Sequence, residues 1–202
     1  REDFAKVKVR TELEYPDGTD CKDIRLKTVL RAPGGQKVAE RETALSPYDE
    51  GVFEQDFVVD RPLLWDCEHP NLYWADTEVY YQGRLSDTYQ TTFGIRTIEV
   101  VPEKGFLLNG KRLVFHGTCN HHDLGPLGTA VNMQAIRYRL KMLKDMGSNA
   151  YRTSHNMPSP ELVQACNEMG MLLMVETFDE WKAKKMANGY NKYYDEWVER
   201  DL

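Results

Sequence analysis

The chain has 202 residues, 41% of them hydrophobic and 11% aromatic, enough to bury a core in one large domain or two modest ones. Its net charge of -6 is carried by the first half, with 13 Lys+Arg against 20 Asp+Glu in residues 1–100 and 13 against 12 in residues 101–202. Such a chain has no basic face for a phosphate backbone, and no apolar run approaches the roughly 18 residues of a membrane-crossing helix, so a soluble globular protein without nucleic-acid or membrane partners is expected.

From residue 4 to residue 98 the pattern is that of strands. Val7, Val9 and Leu13 alternate with Lys6, Lys8, Arg10 and Glu12; the same period runs through Ile24 to Leu30, Phe53 to Val59, Thr77 to Tyr81 and Tyr89 to Ile95. Turn clusters at Pro16-Asp17-Gly18 and Pro33-Gly34-Gly35 separate the runs. Six or seven short strands at this spacing predict an immunoglobulin-like β-sandwich over 1–98, without the cysteine pair of antibody domains.

After Pro102 the period changes. Residues 99–110 read as a linker and entry segment, and Leu113 to Gly117 as a short buried strand. A helix capped by Asn132 follows, with Met133, Ile136, Leu140 and Leu143 on its buried face and a stop at Gly147. Asn149 to Thr153 is the next strand. Ser159-Pro160 starts a second helix, Leu162, Val163, Cys166 and Met169 give its buried face, and Gly170 ends it. Met171 to Glu176 is a third, apolar strand, and Lys182 to Leu202 a loop leading into another helix. Alternating strands and helices imply a parallel sheet over 111–202, opening either a doubly wound sheet or an eight-stranded barrel.

The four cysteines, Cys21, Cys67, Cys119 and Cys166, include no Cys-x-x-Cys pair and leave the redox compartment open. Periplasmic, secreted and cytoplasmic locations all fit. The chain begins Arg-Glu-Asp-Phe, with neither Met nor a leader, and reads as an internal piece of a longer polypeptide.

Polar residues cluster where the predicted strands end. Arg152, His155 and Asn156 follow the second, Glu176, Asp179 and Trp181 the third, and His122 and Asp123 the first. In parallel α/β folds these ends share one rim, where ligands bind. His155 and Asn156 are candidates because a polar pair there needs partners such as sugar hydroxyls. Glu176 closes an apolar strand, which is costly without a hydrogen bond or ion pair. Trp181 offers either a stacking surface for a pyranose or ordinary core packing. His122 is either a donor to a sugar hydroxyl or a loop histidine, and Arg152 either a ligand contact or a structural ion-pair partner. Cys119, His121, His122 and Asp123 do not suit zinc, because neighbours on an extended segment face opposite ways.

Taken together, the segments resemble glycoside hydrolase family 2, which includes β-galactosidases, β-glucuronidases and β-mannosidases. The resemblance lies in Leu64-Trp65, Pro70-Asn71-Leu72-Tyr73, Phe93 to Thr97, Gly105 to Lys111, Gly117 to Asp123, and Asn149 through Arg152, His155 and Pro158 to Gly170. It implies an immunoglobulin-like domain followed by the first three units of a (β/α)8 barrel, truncated, and retaining hydrolysis of terminal β-glycosides. Members often carry Tyr where Asn156 stands, while a bacterial β-galactosidase-like subgroup carries Asn, which favours galactosides over glucuronides or mannosides. They also often carry Asp where Val175 stands. The resemblance places the acid/base and nucleophile glutamates at the ends of the fourth and seventh barrel strands, beyond Leu202, so the chain alone is expected to be inactive. It further implies substrate contacts by His122, Asp123, Arg152, His155, Asn156, Glu176, Asp179 and Trp181, and a magnesium or sodium ion in the full-length enzyme with Glu176 as a magnesium ligand.

Asn167-Glu168, the one Asn-Glu pair, falls inside a predicted helix and away from the rim. Three strands cannot close a barrel, so an open edge exposing Leu172 and Met174 is expected to pair with the rest of the parent chain or with another copy. A non-catalytic carbohydrate-binding module is the alternative from another class. A different barrel or doubly wound enzyme that shares only the opening pattern is disfavoured, because no Gly-x-Gly-x-x-Gly or phosphate-cradling loop follows any strand.

Overall fold

The computed structural model describes residues 3–16, 18–45 and 51–202, which form two compact units, residues 1–98 and 99–202. Asp17, in one predicted turn, lies outside the described residues.

The first unit contains an antiparallel pair, β1 (Phe4–Glu12) with β4 (Val52–Asp60), and a four-stranded antiparallel sheet ordered β3 (Lys37–Ala44), β2 (Ile24–Arg31), β5 (Tyr73–Tyr81), β6 (Arg84–Phe93). Period-2 alternation decides which side chains face inward. In β4, Phe53, Gln55, Phe57 and Val59 are buried while Glu54, Asp56 and Val58 are exposed. These pack with Leu26, Leu30 and Tyr73, each at most 2% exposed. Gln55 is the polar exception, and its amide donates to Thr43 Oγ1 at 3.0 Å. This is the immunoglobulin-like sandwich.

The sheet departs most from the sequence expectation at its two edges, and the central β5 also begins four residues earlier than expected, at Tyr73. β3 was not anticipated, because Lys37, Glu40, Arg41 and Glu42 interrupt any apolar alternation, as is common where a strand edge faces water. β6 begins at Arg84 rather than Tyr89, and all but its last residue are exposed.

A small sheet in the order β7 (Ile98–Val101), β8 (Gly105–Leu108), β9 (Lys111–Arg112), with β8 and β9 antiparallel, stands where a linker and entry segment is expected over 99–110. The second unit continues with a parallel sheet in the order β10 (Gly117–Asn120), β11 (Ala150–Thr153), β12 (Leu172–Met174), the start of the barrel. The first parallel strand therefore starts where the sequence reading ended it. Val114 and Phe115 are 51% and 46% exposed and precede the strand.

The connecting helices are α1 (Met133–Asp145) and α2 (Pro160–Met169). Asn132 caps α1 by accepting from the Ala135 N–H at 3.0 Å, and Ile136, Leu140 and Leu143 form its buried face. Ser159 caps α2, Pro160 occupies its first turn, and Gly170 ends it with a left-handed φ of 70° that favours glycine. Ile136, Leu140, Tyr151, Ala165, Cys166 and Met171 share one core. A last helix, α3 (Tyr194–Asp201), closes the predicted loop-then-helix segment.

The expectation that Leu172 is exposed is corrected: it is buried at 6%, in line with Met171 beside it in the core. Met174 and Val175 are exposed, at 55% and 46%. Glu168 lies inside α2, where Arg137 of α1 and Gln164 donate to its carboxylate, so the Asn167-Glu168 pair is remote from the strand ends.

Candidate functional site

Parallel register sets the site. Cys119 of β10 is level with Arg152 of β11, which is level with Met174 of β12, so the chain leaves all three strands at the same end of the sheet. Arg152 donates to Cys119 Sγ at 3.0 Å and pairs with Glu176 Oε1. Glu176 Oε2 lies 2.5 Å from His155 Nδ1, and the Glu176 N–H donates to Thr153 Oγ1 at 2.9 Å. Asp179 continues the network, with Oδ1 at 3.9 Å from His155 Nε2 and 2.6 Å from Lys185 Nζ.

Both rim carboxylates are biased toward the charged state. The hydrogen bond with His155 holds the Glu176 carboxyl below its ordinary value; partial burial opposes this, and Arg152 adds to the lowering. The Lys185 ammonium does the same for Asp179, with smaller help from His155 and His121. Arg152 is pushed up, first by its contact with Cys119 and then by Glu176.

A groove of about 460 Å3 adjoins this network at His155 and Asp179, and Asn156, Thr177, Phe178 and Tyr190 are among its other lining residues. That volume falls in the range of about 300–1,000 Å3 typical of small-molecule sites. Phe178 and Tyr190 stack at 4.5 Å between centroids. Burial, then hydrogen bonding to Asp201, pushes the Tyr190 phenol up to about 12, keeping it a neutral hydroxyl.

Of the residues singled out in the sequence, Arg152, His155, Glu176 and Asp179 form one connected network, and Asn156 lines the groove beside them. Trp181 is 59% exposed and meets Phe178 edge-on at 6.0 Å, so it is not a core residue, and one side of it is open. His122 and Asp123 are placed differently. They line a cavity of about 30 Å3 together with Arg139 and Tyr151, too small for a sugar ring.

The histidine that meets His155 is His121, at 5.6 Å edge to face. Alternation held the clue: Cys119 faces Arg152, so the residue two further on, not three, returns to that side. Sequence reasoning also missed Thr153, Lys185 and Glu180. Glu180 is a 4%-exposed carboxylate that accepts three backbone N–H groups.

The residues at Glu176 do not fit a metal cation. Its two oxygens are engaged by Arg152 and His155, and a dication would sit against a fixed guanidinium. Among the described residues no group of three or more His, Cys, Asp or Glu side chains could hold a metal ion.

Comparison with known proteins decides the family. The family model "Glycosyl hydrolases family 2" matches residues 1–96, and "Glycosyl hydrolases family 2, TIM barrel domain" matches residues 98–199. The chain belongs to glycosyl hydrolases family 2. This family 2 chain is 43% identical over 182 residues to the β-galactosidase BoGH2A of Bacteroides ovatus, covering 89% of the chain and 21% of that relative. It is 36% identical over 132 residues to a β-glucuronidase of Streptococcus agalactiae, covering 65% of the chain and 21% of the relative. Among solved structures it resembles a family 2 member from Bacteroides cellulosilyticus, with a TM-score of 0.88, 32% identity, and coverage of 98% of this chain and 26% of that one. A β-glycosidase from Bacteroides vulgatus gives a TM-score of 0.83 at 33% identity, with the same coverage. The family 2 chain thus spans about a fifth of the length of these two curated relatives and about a quarter of these two structures.

Proposed function

We propose that these residues belong to a retaining exo-β-glycosidase acting on terminal β-D-galactosides, and that they form part of the wall that holds the non-reducing sugar. The observation that carries this reading is the groove at His155, Asn156 and Asp179, set at the ends of parallel strands, with His155 tied to the Arg152–Glu176 ion pair next to it.

The network suits binding rather than bond cleavage. Retaining hydrolysis needs two carboxyl groups roughly 5–5.5 Å apart, one of them protonated to act as the acid. Glu176 and Asp179 are both held below the usual carboxylate range, and Glu176 is engaged at both oxygens. Neither supplies a proton at neutral pH, which argues against either as the acid, and the engagement of both Glu176 oxygens argues against it as the nucleophile; the acid/base and nucleophile are therefore assigned to other polypeptide, and the 202 residues alone should hydrolyse nothing.

A neutral sugar suits this part of the rim better than an anionic one. Its cations Arg152 and Lys185 are already paired with Glu176 and Asp179, so a uronate carboxylate would approach two like charges there. The identity to a protein named a β-galactosidase points the same way, while the relative named a β-glucuronidase makes glucuronides the second arm of the test.

The test is to assay the full-length product of the gene encoding these residues on aryl β-D-galactosides, β-D-glucuronides and β-D-mannosides. Galactoside kcat/KM should exceed the other two by at least about a hundredfold, the scale set by loss of matched polar contacts. Glucuronide preference would overturn the substrate assignment, and turnover by the 202 residues alone would overturn the division of labour.

A further inference from the structure

Asp179 and Glu180 are adjacent in sequence but do different things. Asp179 is 40% exposed at the rim, whereas Glu180 turns inward and is 4% exposed. An isolated buried carboxylate is costly. Here Glu180 Oε2 accepts the N–H of Lys185 at 2.6 Å and of Met186 at 3.1 Å, and Oε1 accepts the N–H of Asn191 at 3.2 Å. Burial raises its carboxyl pKa, but these three donors outweigh that and leave it below the ordinary value.

The chain is shaped around this carboxylate. Residues 181–188 are exposed, then Gly189 is buried. A Cβ built at Gly189 would lie 1.3 Å from Glu180 Oε1 and 2.1 Å from its Cδ, so position 189 must lack a side chain for the carboxylate to sit there.

We infer that Glu180 is a positioning residue: its carboxylate clasps segment 181–191 and, through Lys185, fixes Asp179 on the sugar-facing rim. Lys185 is the link, because its N–H is held by Glu180 while its ammonium is 2.6 Å from Asp179 Oδ1. The same closure sets Tyr190 on Phe178 at the groove wall. This inference rests on the glycoside-binding reading only for its kinetic consequence, since the clasp itself is independent of any ligand.

The test uses the full-length gene product. In Glu180→Gln an amide nitrogen replaces one accepting oxygen, and in Gly189→Ala a methyl group takes the carboxylate's place. Both should speed tryptic cleavage after Lys182, Lys184 or Lys185 about tenfold, since proteolysis tracks the open population. On the preferred aryl glycoside both should raise KM about tenfold with kcat changed less than about threefold, the pattern of a lost binding contact. Added to Asp179→Asn, Glu180→Gln should raise KM no further, because its effect runs through Asp179. Lys185→Met, which leaves the clasp closed but removes one trypsin site, should raise KM without faster cleavage after Lys182 or Lys184, and it carries the kinetic arm if Glu180→Gln does not fold. Unchanged cleavage in both clasp variants overturns the inference whether or not the enzyme is active. Faster cleavage with unchanged KM, or with effects that add fully to Asp179→Asn, overturns the positioning role. If the wild type hydrolyses none of the glycosides, the functional reading falls and cleavage alone decides the clasp.

Discussion

Gly117→Ala is the substitution to which the rim is most sensitive from a distance. Gly117 is level with Ala150 in the parallel β10–β11 pair, and a Cβ at position 117 would lie 2.4 Å from the Ala150 carbonyl oxygen and 2.9 Å from its carbon. Ordinary van der Waals contact begins at 3.4 Å, so the two backbones must separate by about 1 Å. The hydrogen bonds beside the clash, from the Asn149 and Ala150 N–H groups to the His116 carbonyl at 2.8 and 3.2 Å, would stretch out of range. Losing two such bonds at about 0.5–1.5 kcal/mol each predicts a destabilisation of about 1–3 kcal/mol, which matches the usual cost of overpacking. Hydrogen exchange read by mass spectrometry on peptides from residues 117–174 should then show about five- to 150-fold less protection, while peptides from the sandwich, such as residues 24–45, stay unchanged. Protection unchanged between residues 117 and 174 would mean that β10 does not lie on β11 as described, and the rim built on that register would fall with it.

Three further outcomes follow from the same structure. The depressed Glu176 carboxyl stabilises the folded form above its unfolded value of 4.5, and that contribution is lost as pH falls through the lower folded value. Denaturation midpoints of the wild type should therefore drop more steeply than those of Glu176→Gln between pH 4.5 and pH 3, and parallel curves would contradict the ion pair. Cys166 is 1% exposed, and burial pushes its thiol up to about 12, whereas Cys119 is exposed; iodoacetamide at pH 8 should alkylate Cys119 and spare Cys166 in the native protein, as peptide mapping would show. Leu140→Ala removes a side chain with no exposed surface from the second core and should cost about 2–5 kcal/mol in urea unfolding, with a loss under about 1 kcal/mol contradicting that packing.

What the sequence showed depended on the strength of each local signal. Both inner helices were legible to their caps, because Asn132, Ser159-Pro160 and Gly170 each do one backbone task that few other residues do as well. β4 was legible because Phe53, Gln55, Phe57 and Val59 alternate without interruption. β3 was not, since an edge strand rich in Lys, Glu and Arg carries little apolar period. At the site, Arg152, His155, Glu176 and Asp179 could be gathered from the strand-end rule alone. His121 is not singled out as a contact because His122 rests on the family resemblance and not on alternation, whereas period 2 from Cys119 points to His121. Glu180 was missed for another reason: its three partners are backbone N–H groups, and a sequence gives no sign of where a loop will aim those.

The central claim is that the ends of β10, β11 and β12 carry side chains that hold a neutral sugar while other residues break the bond. A crystal structure of the full-length gene product with a galactose-configured inhibitor addresses it directly. The account predicts the sugar in the groove beside Phe178, with Asn156 and Asp179 within about 3.2 Å of its hydroxyls and the Arg152–Glu176–His155 network intact. A sugar bound elsewhere, with no hydroxyl in reach of Asn156, His155 or Asp179, would contradict it.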